Sequence, residues 1–273
     1  MFFYYYNNDE PYIRFTYSDF EHKQSSSDVD TNFNLTPLQY DLVDEEFYND
    51  HPDYGKNFKT RNNLSRVRRT LFDYAICNHW DFFGTITLND DNMPRDDLSG
   101  AYKKLSKFFN NYAHRKAPRF KYLCVPEIHK DKTNWHFHLL CSGIGHNSLI
   151  DFRSYDNIPV GISKLISDGH TVYNFPDVAS AFGYCSFIPT YGTQSTIAKY
   201  MTKYISKSFD CLKSYTGMQI IRCSKGLKKP IPKFTKTICR PPDDYVVYSC
   251  DYGTTYEIPL DKFKAMYPTL LLD

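Results

Sequence analysis

"KTNWHFHLLCSG", Lys132 to Gly143, decides how this chain is read. Extended backbone sends successive side chains to opposite faces, so His136 and His138 share one face of a strand while Phe137 and Leu139 share the other. One face is polar inside an otherwise apolar run. Two neutral imidazoles side by side are either a pair of metal ligands or a pair of hydrogen-bonded residues on a solvated sheet face. The three-residue pattern alone does not choose between them.

Working outward, "RFKYLCVPEIH" before this strand and the short polar turn "KDKT" make an antiparallel hairpin. Glu127 stands nine residues before His136 and is expected to face His136 or His138 across the ladder. A carboxylate and two imidazoles leave coordination positions open for water and substrate, as a catalytic metal site requires. His129, on the same face as Glu127, is either an outer partner or a solvated residue. "DFFGTITLND" is a further strand ended by Asn and Asp, and "DDLSGAYKKLSKFFNNYAHRK" repeats apolar residues at Leu98, Tyr102, Leu105, Phe108 and Phe109. That second segment is a helix with acids at its start and bases at its end, as the helix dipole prefers.

"NLSRVRRTLFDYAIC" places Leu64, Val67, Leu71 and Ala75 near helical spacing among Arg66, Arg68 and Arg69, a basic amphipathic helix. From Gly143 to Gly192 the pattern is weak, with "HTVYNF" and "GYCSFIPTY" as expected strands. "STIAKYMTKYISKSF" is a second clear helix. "MQIIRCSKGLKKPIP" leaves a strand into a basic turn, and "YVVYSC" and "TTYEIPL" are further strands. Helices between strands around a central hairpin predict an α+β fold, a central antiparallel sheet carrying His-x-His and flanked by helices.

In "AKYMTKYISK", Tyr200, Lys203, Tyr204 and Lys207 fall at i, i+3, i+4 and i+7 and so share a stripe. Ile197, Met201 and Ile205 form the neighbouring apolar stripe, expected to dock on the sheet. A phenol titrates near ~10 and is a poor nucleophile while protonated, so a tyrosine that attacks phosphorus needs cations or a metal-polarised electrophile nearby. Lys203 and Lys207 are spaced for the first need and a cation on Glu127, His136 and His138 for the second. A second phenol one turn away suits a reaction with two cuts.

The 273 residues hold one large or two small domains. The eight cysteines contain no C-x-x-C pair and are expected to be reduced, mostly buried small hydrophobes. No window is apolar enough for a membrane span, and "MFFYYYNNDEPY" lacks the basic start of a secretory signal, so a cytoplasmic location and no membrane partner are expected. The net charge of +2 hides an asymmetry: residues 1–60 hold 4 Lys/Arg against 12 Asp/Glu, and the remainder 29 against 19. We divide the chain into an acidic, Tyr-rich irregular arm at 1–60 and a basic catalytic domain at 61–273. Between Thr193 and Lys236 stand ten Lys/Arg and one acid, Asp210, an excess that attracts phosphates. "KGLKKPIPKF" combines cations with a nearby aromatic, as a groove for single-stranded DNA does.

"GTITLND", "WHFHLL" and "YMTKYISK", in that order, resemble the three motifs of the HUH endonucleases, and more closely the two-tyrosine rolling-circle replication initiators of microviruses, in particular their gokushovirus-like branch. The likeness spans roughly residues 62–232 and includes "LSRVRRTLFDYA" and "CSKGLKKP". It implies His136, His138 and Glu127 as ligands of Mg²⁺ or Mn²⁺, Tyr200 and Tyr204 as paired nucleophiles, and Lys203 as the lysine between them. It also implies nicking and rejoining of single-stranded origin DNA through a 5′-phosphotyrosine, in the cytoplasm of a host cell. Lys207, Lys225, Lys228, Lys229, Arg66 and Arg69 are the expected DNA contacts, on single strand and origin hairpin. With no G-x-x-x-x-G-K-[ST], unwinding falls to a host helicase and synthesis to a host polymerase. Two other classes fit parts of the pattern: a non-catalytic nucleic-acid-binding protein with structural histidines, and a non-haem metal oxygenase using two histidines and a carboxylate. The second has no use for lysine-flanked tyrosines.

Overall fold

The computed structural model describes residues 2–7, 10–17, 58–145, 147–212, 218–234, 238–250 and 253–270. Two antiparallel sheets and six α-helices make up the described regular structure, so the α+β class holds. The chain divides into two compact units, residues 67–228 and residues 1–66 with 229–273.

The smaller unit has a five-stranded sheet from β1 (Phe2–Tyr6), β2 (Tyr12–Tyr17), β10 (Ile231–Phe234), β11 (Val246–Cys250) and β12 (Gly253–Pro259), in the order β10-β1-β2-β12-β11. This corrects the irregular arm expected for residues 1–60: its first residues are strands, and Tyr17 pairs with Thr254 across most of the chain. The physical reason is apolar alternation completed from afar, since Phe3, Ile13 and Phe15 bury against Tyr256, Ile258 and Phe263. Arg14 is buried with them and pairs with Glu257. Residues 18–57, most of the acidic arm, lie outside the described residues.

In the larger unit, β3 (Phe82–Leu88), β4 (Lys121–Ile128), β5 (Trp135–Ser142), β6 (Ile150–Asp151), β7 (Tyr173–Asn174), β8 (Gly183–Pro189) and β9 (Arg222–Cys223) form one antiparallel sheet, ordered β6-β7-β8-β3-β5-β4-β9. The expected hairpin is present: β4 pairs β5 with Glu127 opposite His136. Asp131 closes its turn by accepting from the Thr133 and Asn134 amides at 2.9 and 3.0 Å. Those bonds, Asn134 first, hold its carboxyl far below the usual range.

Of the helices, α1 (Phe58–Ile76) precedes the sheet, and α2 (Leu98–Arg115) starts at an Asp97 cap that accepts from the Gly100 amide at 2.8 Å. α2 buries Leu98, Ala101, Tyr102, Leu105, Phe109 and Tyr112 in the cluster that holds Ile86, Phe137, Leu139 and Cys141, the apolar side of the central strands. The weakly patterned region contains two helices without a sequence signal of their own, α3 (Val160–Ser167) and α4 (Pro176–Phe182), both too short for a sustained period. α5 (Gln194–Leu212) is the tyrosine helix, and α6 (Leu260–Met266) belongs to the smaller unit.

Gly183 opens β8 at φ +130°, where a Cβ would lie 2.6 Å from the Thr87 carbonyl oxygen, so a side chain there is excluded by both strain and contact. Cys77, Cys124, Cys141 and Cys185 are free and buried, as expected of small hydrophobes. Phe137, fully buried between the histidines, packs its ring 5.2 Å from Tyr102. Phe137→Ala is expected to cost about 3–5 kcal/mol, measured by urea unfolding of the whole chain.

Candidate active site

Register places the polar residues of four strands in one continuous field. Thr85 pairs with His138 and Thr87 with His136; on the other side Thr85 pairs with Ser186 and Thr87 with Tyr184. Paired residues share a face, so Glu127, His136, His138, Thr85, Thr87, Tyr184 and Ser186 all project from the side opposite Phe137.

His138 is the centre of contact. Its Nε2 donates to Glu127 Oε2 at 2.6 Å, its Nδ1 meets the Thr85 hydroxyl at 3.3 Å, and its ring stacks 3.6 Å from the Tyr204 ring. Glu127, directly across from His136, thus bonds diagonally to His138 instead. The other Glu127 oxygen lies 3.4 Å from Lys207 Nζ. His136 Nδ1 meets the Thr87 hydroxyl at 2.9 Å, and its ring lies 4.9 Å from His129. His129 itself hydrogen-bonds Asp131 at 3.2 Å.

Electrostatics follow from burial. Desolvation pushes the His138 pKa below its ordinary 6.5, against the pull of Glu127, so the ring is neutral. Burial, then the neighbouring His129 and His138, lowers His136 likewise. For Glu127 burial acts upward, but the His138 hydrogen bond and the charges beside it outweigh burial and hold the carboxyl below its ordinary 4.5. A threonine hydroxyl either donates or accepts, so Thr85 and Thr87 fit whichever imidazole tautomer is present.

α5 packs against β4 and buries Ala198, Met201, Tyr204, Ile205 and Ser208; Ser208 Oγ accepts from the Ile128 amide at 2.9 Å. Tyr204 therefore belongs to the sheet-facing side with the apolar residues, which corrects the expected stripe of Tyr200, Lys203, Tyr204 and Lys207 beside a separate docking stripe. Tyr204 is 7% exposed and Tyr200 50%. Their rings stand edge to face at 5.3 Å. Burial, followed by the neighbouring Tyr200 phenol, drives the Tyr204 phenol far above its usual value. Lys203 is exposed on the same helix. Lys207 Nζ lies 5.8 Å from the centre of the Tyr204 ring.

Sequence reasoning missed Phe83, whose ring lies 5.6 Å from His138, 5.2 Å from Tyr200 and 6.0 Å from Tyr204. It also missed the two threonines, although the alternation of "FGTITL" already put them on one face. Asn78 was missed too. Its side chain brackets Lys228, donating to the carbonyl at 3.0 Å and accepting from the amide at 2.9 Å, and its own carbonyl accepts from the Gln194 side chain at 3.2 Å.

The basic turn presents Lys225 and Lys228 to solvent, with Lys121 Nζ donating to the Lys225 carbonyl at 2.9 Å. Arg66 and Lys229 are exposed as well. Arg69 is different: it is largely covered and lies 3.7 Å from Asp73 one turn on, so its charge is partly spent within its own helix.

Among the described residues, no group of three His, Cys, Asp or Glu is poised around a common point for a metal ion. The Nε2 of His138 that a ligand would use is bonded to Glu127. The donor chemistry nevertheless suits a divalent ion: two imidazoles fixed through Nδ1 by hydroxyls, and a carboxylate on the same face.

Residues 81–209, from just before β3 into α5, match the family model for the replication-associated proteins of the ORF2 and gene-2-protein type. The match takes in 129 of the 273 residues and makes this segment similar to replication-associated proteins. No curated protein and no solved structure gives a significant match. Among the described residues, no helix is long and apolar enough to cross a membrane.

The lowered His and Glu groups set a sign for pH dependence. The folded state binds fewer protons than the unfolded chain below about 6.5 for the histidines and below about 4.5 for Glu127. Stability without metal is expected to be full near neutrality and to fall on acidification, read as a lower Tm at pH 5 than at pH 7.5. His138→Asn is expected to flatten the upper part of that slope.

Proposed function

We propose that this protein is a replication initiator that nicks and rejoins single-stranded DNA through a phosphotyrosine, with Tyr200 and Tyr204 as nucleophiles and a divalent metal held by His136, His138 and Glu127. One observation carries the reading: the tyrosine helix lies on the histidine face of the sheet, with Tyr204 stacked on His138 and Tyr200 beside it. Packed on the other face, neither hydroxyl would reach a phosphate near the imidazoles.

Bound there, Mg²⁺ or Mn²⁺ would polarise a non-bridging phosphate oxygen. The chain's own groups do the rest. The phenolic oxygen of a tyrosine attacks phosphorus in line, its proton passes to solvent or a neighbouring base, and the bond to the 3′ oxygen breaks. The departing 3′ oxygen takes up a proton and becomes the free hydroxyl, while the 5′ side stays on the tyrosine. Attack of a 3′ hydroxyl on that phosphotyrosine re-forms the phosphodiester and releases the phenol. Lys207, beside Glu127 and the Tyr204 ring, supplies positive charge where phosphate charge develops.

The two tyrosines differ in readiness. Tyr200 is half exposed and reaches a strand as it stands; Tyr204 must leave its stack on His138. Tyr200 is therefore the nucleophile of the first cut, and Tyr204 acts once DNA has opened the site. Lys203, Lys225, Lys228, Lys229 and Arg66 hold the phosphate backbone, with Arg69 a weaker contact. A host helicase and polymerase supply unwinding and synthesis, and the origin hairpin is a partner.

The test incubates the full chain with Mn²⁺ and a 3′-labelled, random-sequence pool of single-stranded DNA, and looks for labelled protein on a denaturing gel. Adduct is expected with wild type and is expected to disappear with EDTA. Tyr204→Phe is expected to retain the first adduct, Tyr200→Phe to lose at least about tenfold, and the double variant to form none. Adduct in the double variant would remove the nucleophile assignment, and absence of adduct in wild type would leave a binding protein without this chemistry.

A further inference from the structure

The field of polar side chains does not stop at the histidines. Past Thr85 and Thr87 it runs onto β8 and into a cavity of about 840 Å³ lined by Tyr184, Ser186, Asn157, Asn174 and, on the helical side, Ile162. We propose that this cavity binds an unpaired nucleobase of the single-stranded DNA, beside the histidines where the strand is cut; the inference rests on the strand-transfer reading above.

Three observations carry it. Among the described residues, the lining contains no Lys, Arg, Asp or Glu, so it offers no counter-charge to a phosphate and no carboxylate to a metal, whereas both sets of charges stand on the histidine side. An uncharged pocket in a basic protein suits the uncharged part of a nucleotide. Next, Tyr184 is 70% exposed although it sits within a strand, with Gly183 and Cys185 buried on either side. A phenol ring held by strand backbone and left open to solvent is a ready stacking surface for a base, and stacking of this kind tolerates any base. Third, Asn157 and Asn92 bring exposed carboxamides to the lining, beside Asn174, which donates to the Tyr155 hydroxyl at 2.8 Å and accepts from the Cys185 thiol at 3.3 Å. Carboxamides are the side chains that pair with the donor and acceptor edges of bases.

The geometry sets the distance to the chemistry. Tyr184 is two strands from His136 through Thr87, on the same face, which places it roughly 10 Å away at the usual strand spacing. That separation suits a base close to the broken bond on the same strand. α3 contributes no buried residue to the core, so Ile162 is left to wall the cavity, and with Phe152 it supplies the apolar contact a base plane needs.

The test compares equilibrium binding of an oligothymidylate with an abasic strand of equal length, which has the same phosphates and lacks bases. Wild type is expected to prefer the base-bearing strand by about fivefold or more, the loss expected when one stacked base is removed. Tyr184→Ala is expected to lose most of that preference while binding the abasic strand as wild type does, and Tyr184→Phe to keep it. Tyr191→Ala, which removes an exposed tyrosine outside the cavity lining, is the control expected to change nothing. A Tyr184→Ala protein with its preference intact, or a Tyr191→Ala protein that loses as much, overturns the pocket. Adduct formation in the preceding assay together with no Tyr184-dependent preference removes the pocket and leaves strand transfer standing. A preference that depends on Tyr184 without any adduct removes strand transfer and keeps the cavity as a base-binding site.

Discussion

His138 is held from three directions, and the rest of the site is arranged around that restraint. Thr85 fixes Nδ1, Glu127 accepts from Nε2, and the Tyr204 ring covers the face. Each partner comes from a different element, β3, β4 and α5, so the imidazole ties the sheet register to the seat of the helix. A buried imidazole without such partners would be costly, since an unpaired polar group out of water loses its solvation without return. The same bonds bring a carboxylate, a lysine and two phenols into one neighbourhood.

That neighbourhood is closed as it stands. Glu127 and His138 satisfy each other, and Tyr204 is packed away from solvent. In the proposed reaction, cation and DNA therefore replace existing contacts, and the site exchanges one set of partners for another. The hydroxyls of Thr85 and Thr87 suit such an exchange, because they remain competent partners when the proton on the ring changes place. Tyr200 is edge-on to Tyr204 and open to solvent, so in the proposed reaction it is the first to meet a strand.

Charge along the sheet is graded. Glu127, His138 and Lys207 occupy one side of the polar field, while among the described residues the cavity lining at Tyr184 has no ionisable acid or base besides phenol and thiol. A nucleotide is graded in the same sense, with an ionised phosphate and a neutral, flat base. In the proposed complex, one sheet face would take the phosphate and the base at different places.

Much of this was legible locally. Period-two alternation around His136 marked the polar face, the short polar turn set the hairpin, and the spacing of Ile197, Met201 and Ile205 marked the helix. Other features were not. β2 and β1 pair with strands more than two hundred residues away, and no local pattern records a partner that distant. α3 and α4 are too short to show a period. Tyr204 lies at the edge of the buried arc of α5, beside Ser208 on the wheel, where spacing alone allows either an outward or a sheet-facing ring; only the presence of β4 and His138 beneath it settled the choice. The sequence by itself determined which residue types share a face, because backbone geometry imposes that over a few residues. The tertiary structure decided which faces meet, that Glu127 bonds His138 rather than the residue opposite it, and which tyrosine is exposed, because those outcomes depend on side chains competing for partners across strands and helices far apart in the chain.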